Sequence, residues 1–347
     1  MQLSSLMDPE IAAPAGCGGI SVTGITADSR QVEPGFVFAA LPGAKADGSR
    51  FIAGAAAKGA AAILAGPAAE VPPGIQVPVL RARKPRRALA LMAARFFGGQ
   101  PKTAVAVTGT SGKTSVAEFT RQIFAALGYQ AASLGTIGIV KPDGEVYGSL
   151  TTPDPVTLHA TLASLAREGI THLALEASSH GLDQYRLDGV KLTAAAFTNL
   201  GRDHLDYHPT IEAYLAAKLR LFEVLLEPGQ TAVVNADGDR ARDVLAAARR
   251  RGLNLVTVGE RGDTLKLAGL GADGFAQRLE IVHEARVYDI RLPLVGAYQA
   301  SNALVAAGLA LAAGEAAERV LPALEGLRGV KGRLDIVGTR KDRKSVV

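Results

Sequence analysis

The stretch Val105–Phe119, VAVTGTSGKTSVAEF, constrains the fold and chemistry of this chain more than any other. Ala104–Val107 is short and apolar like a buried strand, Thr108–Gly112 is a turn of small residues, and a helical pattern starts at Lys113. In such a unit the N–H groups of the turn and of the helix N-terminus attract anions. Lys113 adds a positive charge and the Thr114 hydroxyl is a ligand for Mg²⁺, so the stretch predicts a phosphate site.

The match to the phosphate-loop pattern GxxxxGK[ST] is incomplete. That pattern places glycine at position 107, where this chain has Val107, and the shorter GTSGKT remains. A tight glycine turn without any ligand would give the same letters. The strand and helix on either side favour the phosphate site.

Composition indicates a globular protein of about two domains, because 48% of the 347 residues are hydrophobic. The basic cluster Arg81–Arg87 has no interleaved aromatic residues, so we expect no nucleic-acid partner. No apolar run approaches the ~20 residues that span a bilayer, and the N-terminus lacks the pattern of a signal peptide. The lone Cys17 fits a reducing compartment. We therefore expect a cytoplasmic protein without membrane contact, and a monomer by default.

Residues 1–98 form a first predicted unit, a small α/β domain. Its elements are predicted as strands at 35–41, 61–65 and 77–80 and as helices at 53–59 and 86–97. The sequence Gly98-Gly99-Gln100-Pro101 then breaks the pattern and predicts a domain boundary.

Residues 99–331 form a second predicted unit, in which strands alternate with helices. Strands are expected at 104–107, 131–134, 172–175, 194–198 and 231–235, and helices at 113–127, 156–168, 211–226, 239–250 and 300–313. This alternation predicts an α/β fold with a mostly parallel sheet flanked by helices. Residues 254–294 are strand-rich and are expected to be antiparallel. Because ligands of parallel sheets bind at the carboxyl ends of strands, Gly109, Glu176 and Asn199 are expected to share one crevice.

The segment EASSHGLDQYR, Glu176–Arg186, follows a predicted strand. A carboxylate at a strand end opposite a phosphate loop is suited to hold Mg²⁺, although Glu176 could equally form a salt bridge or a helix cap. Ser178 and His180 form a pair, but no GxSxG elbow surrounds the serine, so we reject a hydrolase.

A second polar cluster occurs in TNLGRDHLDYH, where Asp203, His204, Asp206 and His208 are close in sequence. Histidines point to zinc as much as to magnesium, and most histidines are structural. Lys218 follows on a predicted helix, and from the residues alone a solvated lysine is the simpler interpretation.

Taken together, these segments resemble the Mur ligases. The matching pieces run in family order and cover nearly the whole chain to about Arg333: they are 28–48, 107–115, 134–138, 151–155, 176–186, 197–218 and 301–308. EASSHGL and TNLxxDHLDYH are specific to the branch that adds the third amino acid of the muramoyl peptide, whereas the GKT turn alone is not.

The resemblance implies a role for each matching residue. ATP would be held by Gly109, Thr110, Ser111, Gly112, Lys113, Thr114 and Ser115, with Asn302 at the adenine; the family often has Asn where this chain has Gln299. Mg²⁺ ligands would be Thr114 and Glu176 for one ion, and His204 and a carbamylated Lys218 for a second. The UDP-muramoyl-dipeptide would be bound by Ala27, Ser29, Ala44, Lys45, Ala46, Thr151, Thr152, Ser178, Gln184 and Arg186. The implied catalytic set is Lys113, Lys218, His204 and Glu176.

The implied activity is ATP-dependent amide formation in peptidoglycan precursor synthesis, and thus in cell-wall growth, shape and division. A D-Glu carboxylate would attack the γ-phosphate of ATP, and the resulting acyl phosphate would react with an amine, expected to be meso-diaminopimelate rather than L-lysine. Two alternatives stay open: a non-catalytic nucleotide-binding module, and a sister ligase of the folylpolyglutamate or cyanophycin type. The DSRxVxPG unit at 28–35 argues against the sister ligase.

The chain departs from the family after GRLDIVG, residues 332–338. Mur ligases of this type continue into a third domain that carries the amino-acid pocket, so residues 332–347 are expected to be a stub of that domain. The ending DRKSVV is what a common sequencing adapter encodes in one frame, so we interpret the tail as artefactual and the chain as truncated. Such a fragment is expected to be inactive alone.

Overall fold

A computed structural model describes residues 1–43, 47–148, 150–333, 336–340 and 343–346. The chain divides into two compact units that are discontinuous in sequence. The first unit is Met1–Gln100 with Pro153–Ser164 and Gln184–Val190, and the second is Pro101–Thr152, Leu165–Asp183 and Lys191–Val347. The segments Pro153–Ser164 and Gln184–Val190 join the first unit although they follow residue 98 in the chain. The domain limits predicted from the sequence stay predictions.

The first unit is built on a five-stranded sheet in the order β1-β5-β4-β3-β2. The strands are β1 Ile11–Ala12, β2 Gly24–Thr26, β3 Phe36–Ala40, β4 Ala62–Ala65 and β5 Val79–Ala82, and only β1 is antiparallel to its neighbour. The helices are α1 Leu3–Leu6, α2 Ile52–Ala57 and α3 Pro85–Phe97, with 3₁₀ turns at Cys17–Gly19 and Gly48–Phe51.

Helices cover both faces of this sheet, which explains why β3 and β4 are apolar throughout. One core cluster contains Leu3 and Leu6 of α1 with Leu89 and Met92 of α3, and the other contains Ile52 of α2. Parallel strands buried on both faces lose the alternation of polar and apolar residues. The predicted strands at 35–41, 61–65 and 77–80 and both predicted helices are confirmed; α1, β1 and β2 are too short for a periodic signal.

The second unit is built on an eleven-stranded sheet in the order β16-β15-β14-β13-β12-β11-β6-β10-β7-β8-β9. The strands are β6 Thr103–Thr108, β7 Ala131–Gly135, β8 Gly138–Lys141, β9 Gly144–Val146, β10 His172–Glu176, β11 Ala194–Phe197, β12 Thr231–Asn235, β13 Asn254–Gly259, β14 Leu265–Asp273, β15 Ala276–His283 and β16 Arg286–Leu292. The seven consecutive strands from β14 to β7 in this order all pair in parallel. The pairs at the two ends of the sheet are antiparallel: β16–β15, β15–β14, β7–β8 and β8–β9.

The parallel sheet is confirmed, but the antiparallel assignment of residues 254–294 is wrong for its first strand. β13 pairs in parallel with β12 and touches β14 in parallel over two residues. Each of β13 and β12 follows a helix in the chain, and a strand that returns through a helix crossover lies parallel to its neighbour. Only β14, β15 and β16 form the expected meander.

The helices of this unit are α4 Lys113–Ala126, α6 Ser179–Asp183, α7 Ile211–Arg220, α8 Ala241–Arg251, α9 Ala297–Ala312 and α10 Ala317–Ala323, and α5 Pro155–Arg167 runs across the two ranges. A 3₁₀ turn follows at Leu324–Gly326, and strands β17 Ile336–Arg340 and β18 Arg343–Val346 form a separate pair. The helix predicted at 211–226 is interrupted, since a π-helical turn occupies Leu221–Leu225. Across the described residues, every helix is too short or too polar to span a bilayer.

β6 is the switch point of the large sheet. The chain leaves β6 for β7 and β10 on one side and then returns to β11 on the other. A crevice opens at the carboxyl end of the strand where the order reverses. The loop after β6 is the glycine turn identified in the sequence.

Candidate active site

Two glycines give the loop between β6 and α4 its shape. Gly112 caps α4 with φ +88°, and a Cβ atom there would lie 2.4 Å from Asn302 Oδ1. A Cβ on Gly109 would lie 1.9 Å from Thr198 Oγ1. Both distances are too short for a side chain, so the loop backbone packs directly against Thr198 at the end of β11 and Asn302 of α9.

The residues that follow β11 hold this loop in place. Thr198 Oγ1 donates to the Ser111 carbonyl at 2.6 Å, and Asn199 Oδ1 accepts from the Ser111 N–H at 3.0 Å. The Asn199 carbonyl accepts from the Thr110 N–H at 2.9 Å. The predicted proximity of the glycine turn and Asn199 is confirmed, and hydrogen bonds from Thr110 and Ser111 to Asn199 fix the loop.

Two lysine amines donate to a single backbone oxygen in the loop. Lys113 Nζ lies 3.0 Å and Lys218 Nζ 2.7 Å from the Gly109 carbonyl oxygen, and Lys113 Nζ also donates to the Thr110 carbonyl at 2.9 Å. Lys218 is 1% exposed and lies over the Tyr214 ring, with Nζ 4.2 Å from the centroid. Burial first, and then the Lys113 ammonium, lower the pKa of Lys218 to about 6. Burial therefore favours the neutral amine of Lys218 over the ammonium.

Glu176 ends β10 on the other side of β6 and is 1% exposed. Its Oε1 accepts from the Thr136 N–H at 2.7 Å, and its Oε2 from the Thr136 hydroxyl at 3.3 Å. Burial raises the pKa of Glu176, while the Thr136 bonds, Lys113 and the Thr114 hydroxyl act in the opposite direction. The Glu176 carboxylate therefore lies beside the phosphate loop, among the hydrogen-bond donors of Thr136 and Thr114 and near the Lys113 amine.

These groups line one cleft of about 660 Å³ that lies wholly within the second unit. Its lining includes Thr110, Ser111, Gly112, Lys113, Thr114, Ser115, Thr136, Thr151, Glu176, Ser178, Ser179, Asp203, His204, Tyr214, Lys218, Tyr298, Asn302, Gly332 and Arg333. The phosphate loop, Glu176, His204 and Lys218, which the sequence analysis singled out, therefore line the same cleft. A cleft with backbone donors, two amines and a buried carboxylate suits a nucleotide phosphate and a divalent cation.

The oxygen atoms of Thr114 and Glu176 fit a Mg²⁺ ion, because hard cations select hydroxyl and carboxylate oxygen. The second predicted pair does not fit in its present chemical form, since Lys218 Nζ is a donor and has no anionic oxygen. A carbamate would supply one, and the depressed pKa of Lys218 leaves the lone pair that this modification needs. Among the described residues, no group of three or more His, Cys, Asp or Glu side chains is arranged to hold a metal.

The histidines of the DHLDYH segment have different environments. His204 has φ +53° and borders the cleft, and its backbone N–H donates to Asp203 Oδ1 at 2.8 Å. His208 is 3% exposed, and within the residues that the structure describes its Nε2 has no hydrogen-bond partner. His208 packs 5.2 Å from the Tyr214 ring, so its environment is aromatic rather than aqueous.

The predicted residues of the muramoyl-dipeptide site are distributed over both units. Thr151 and Ser178 line the cleft, whereas Thr152 is 1% exposed and its hydroxyl donates to the Glu176 carbonyl at 2.8 Å. Ala27, Ser29, Gln184 and Arg186 belong to the first unit, where Arg186 donates to Gln184 Oε1 at 2.8 Å. Ala44, Lys45 and Ala46 lie outside the described residues. The substrate roles stay predictions.

Several cleft residues were not assigned a role from the sequence. Thr136 follows β7 directly, so its position past a strand end was a usable signal. Tyr214 lies one helical turn before Lys218, a spacing that places both on one face of α7. Tyr298 and Arg333 have no local signal, because they reach the cleft only through the packing of α9 and the chain after α10.

Comparison with known protein families agrees with this geometry. The model described as "Mur ligase middle domain" matches residues 107–310, and the one described as "Mur ligase family, catalytic domain" matches residues 21–97. The middle-domain match covers more than half of the chain and contains every cleft residue up to Asn302. The chain belongs to the Mur ligase family. Members of this family are ATP-dependent amide ligases, so the cleft is that of an enzyme.

Relatives place the chain more closely within the Mur ligases. It is 54% identical over 344 residues to a UDP-N-acetylmuramoyl-L-alanyl-D-glutamate--2,6-diaminopimelate ligase of Bradyrhizobium diazoefficiens, covering 98% of this chain and 70% of the relative. It is 58% identical over 320 residues to the ligase of the same name in Mesorhizobium japonicum, covering 92% and 66%. A solved structure of a ligase of that name superimposes with TM-score 0.84 at 27% identity, over 98% of this chain and 69% of that one. The chain thus spans about two thirds of the length of these relatives.

Proposed function

We propose that this Mur ligase adds meso-diaminopimelate to UDP-N-acetylmuramoyl-L-alanyl-D-glutamate in peptidoglycan precursor synthesis. The observation that carries the proposal is the meeting of Lys113, Glu176 and Lys218 around one cleft beside the glycine loop. The names of the relatives at 54% and 58% identity support this substrate pair. The chain spans about two thirds of the length of these relatives. The proposal is therefore argued first for the ATP-dependent step, which forms the acyl phosphate.

The phosphate loop positions the triphosphate of ATP. Lys113 and the N–H groups at the N-terminus of α4 would face the transferred phosphoryl group, whose charge spreads over its oxygens as the D-Glu carboxylate attacks. The bond to the γ-phosphorus forms as the bond to the β-phosphate oxygen breaks, which gives an acyl phosphate and ADP. The incoming amine then displaces phosphate from the acyl carbon, so the enzyme's main work is alignment and charge stabilisation.

Glu176 and Thr114 would hold one Mg²⁺, and His204 and a carbamylated Lys218 a second. These ions would neutralise the charge that develops on the phosphoryl oxygens. Lys218 gains its anionic group when the Nζ lone pair attacks carbon dioxide, forming an N–C bond and releasing one proton to water. The lowered pKa of the buried Lys218 supports this step, because an ammonium has no lone pair to offer.

The first half-reaction gives a test that needs no amino acid. Purified chain is incubated with Mg²⁺, ATP, labelled ADP and the UDP-muramoyl-dipeptide, and reversible acyl phosphate formation moves the label into ATP. The fragment is expected to be inactive in the complete ligation, because the amino-acid pocket belongs to the third domain of the family, but the exchange needs no amino acid. We therefore expect exchange that depends on the dipeptide and is absent with folate. Exchange with folate instead would favour a folylpolyglutamate-type ligase. ATP binding with no exchange would favour the non-catalytic module.

The proposal includes a cytoplasmic location and a monomeric state. The nucleotide-linked substrate and ATP are both cytoplasmic metabolites, which supports that location. Light scattering of the purified chain tests the oligomeric state, and a mass of twice 35.8 kDa would overturn the monomer.

A further inference from the structure

Two residues at the end of β7 form a seat for the buried carboxylate of Glu176. A Cβ atom on Gly135 would collide with Glu176 Oε1, so the carboxylate packs directly on the bare backbone there. The next residue, Thr136, is exposed on the wall of the cleft and bonds both carboxylate oxygens. Its N–H donates to Oε1 at 2.7 Å, and its hydroxyl donates to Oε2 at 3.3 Å. These two bonds from one residue give the carboxylate a fixed orientation in the cleft.

The Thr136 hydroxyl has a second partner, the Thr151 hydroxyl, at an oxygen–oxygen distance of 3.0 Å. A hydroxyl carries one proton, so Thr136 cannot donate to Glu176 and to Thr151 at once. When Thr136 donates to Glu176, the proton between the two threonines comes from Thr151. Among the described residues, Thr151 shares no hydrogen bond with Glu176, so Thr151 acts on the carboxylate through Thr136.

The strand order places an opposing attraction on the other side of Glu176. β10, which ends at Glu176, lies between β6 and β7, so Thr136 is on one side of the carboxylate and the loop with Lys113 is on the other. The Lys113 amine attracts the carboxylate electrostatically. A carboxylate that turned onto this amine would form an ion pair in place of binding a metal ion. The bond from Thr136 to Oε2 opposes that rotation.

We propose that Thr136, supported by Thr151, is a positioning residue that keeps the Glu176 carboxylate open to a divalent cation. Thr136 acts through Glu176, and Thr151 acts through Thr136. Hydrogen bonds to ligating carboxylates orient the ligands of metal sites in this way. The inference rests on the proposed function, because it takes Glu176 as a cation ligand.

The test measures cation binding directly and needs no catalysis. Electron paramagnetic resonance of free Mn²⁺ gives the Kd for the full chain, and Glu176→Gln identifies the binding that depends on this carboxylate. Thr136→Val removes the hydroxyl but keeps the shape and the backbone N–H, whereas Thr136→Ser keeps the hydroxyl. Thr151→Val is measured alone and together with Thr136→Val. Thermal melting shows whether each variant is folded.

We expect Thr136→Val to raise the Mn²⁺ Kd about 10-fold, and Thr136→Ser to stay within about 2-fold of wild type. Thr151→Val should raise the Kd about 3-fold in the otherwise wild-type chain. In the Thr136→Val chain the same change should have an effect below about 1.5-fold, because the connection to Glu176 is already broken. If Thr136→Val does not fold, Thr136→Ala takes its place with the same expected result.

Three results would contradict these expectations. If Glu176→Gln raised the Mn²⁺ Kd and neither Thr136→Val nor Thr136→Ala did, the positioning role of Thr136 would be overturned and the cation site would stand. If Thr151→Val had the same effect in both chains, the support of Thr136 by Thr151 would be overturned. Mn²⁺ binding that Glu176→Gln does not weaken would instead overturn the proposed cation site at Glu176.

Discussion

The two parts of the large sheet differ in both burial and chemistry. In the parallel part, β10 and β11 are buried along their entire length, and the polar side chains of β10, His172 and Glu176, lie at its two ends. In the antiparallel part, β14 has one buried residue, Leu265, and its other residues are half-buried or exposed. β15 alternates from Arg278 to Ile281, with the charged side chains of Arg278 and Glu280 on its exposed face. A strand buried on both faces leaves only its ends for chemistry, so the reactive groups collect at one edge of the sheet.

The largest expected effect is the loss of the phosphate-loop amine. Lys113→Met should lower the dipeptide-dependent ATP–ADP exchange rate about 10³-fold, because the charge that faces the transferred phosphoryl group is removed. The matched control is Lys266→Met on β14, an exposed lysine of the antiparallel part, which should change the rate less than about 2-fold. If both substitutions lowered the exchange rate equally, the reactive groups would not be confined to the strand ends of the parallel part.

The buried amine of Lys218 should make stability depend on pH. Its pKa is about 6 when folded, against an ordinary value of 10.5, so between these values the unfolded chain binds one proton more. The free energy of unfolding should therefore rise with pH there by about 1.4 kcal/mol per unit, or ~3 kcal/mol over two units. Urea unfolding in CO₂-free buffer, compared with Lys218→Met, measures this slope. If the unfolding free energies of wild type and Lys218→Met changed equally with pH, Lys218 would be charged in the folded chain.

Replacing the strand-end carboxylate should affect chemistry more than folding. Glu176→Gln keeps an acceptor for the Thr136 N–H but loses the negative charge, so the exchange rate should fall about 10²-fold and the dependence on Mg²⁺ concentration should weaken. Glu280→Gln on the exposed face of β15 is the control, and its rate should match wild type. An exchange rate in Glu176→Gln that keeps its normal Mg²⁺ dependence would assign the metal elsewhere.

The smallest expected effect separates the two parts by packing alone. Val107→Ala in β6 removes two buried methyl groups and should cost about 1–3 kcal/mol of unfolding free energy. Val287→Ala in β16 starts from a side chain that is 61% exposed and should cost less than about 0.5 kcal/mol. Chemical denaturation of both variants checks the difference, and a reversed order would contradict the burial of the parallel strands.

The strand–turn–helix unit was predictable because its signals are local. The apolar run of β6, the small residues of the turn and the periodicity of α4 lie within about 25 residues of one another, and β10 and β11 are equally apolar. Their parallel order then brings the strand ends together. The proximity of Glu176 to the phosphate loop was therefore predictable from the sequence.

Other features depend on contacts distant in sequence. The parallel pairing of β13 with β12 depends on the direction of the crossover, and the π-helical turn after Arg220 leaves no periodic signal. The bond from Gln299 to the Arg333 carbonyl joins residues 34 positions apart. The low pKa of Lys218 arises from burial and from Lys113, so only the folded chain reveals it.

The most direct test is a crystal structure of the chain with Mg²⁺, a non-hydrolysable ATP analogue and the UDP-muramoyl-dipeptide. The terminal phosphate should lie against the 109–113 loop, with Lys113, Glu176 and Lys218 all around it and the D-Glu carboxylate in line with the phosphorus. A terminal phosphate bound away from these three side chains would contradict the account.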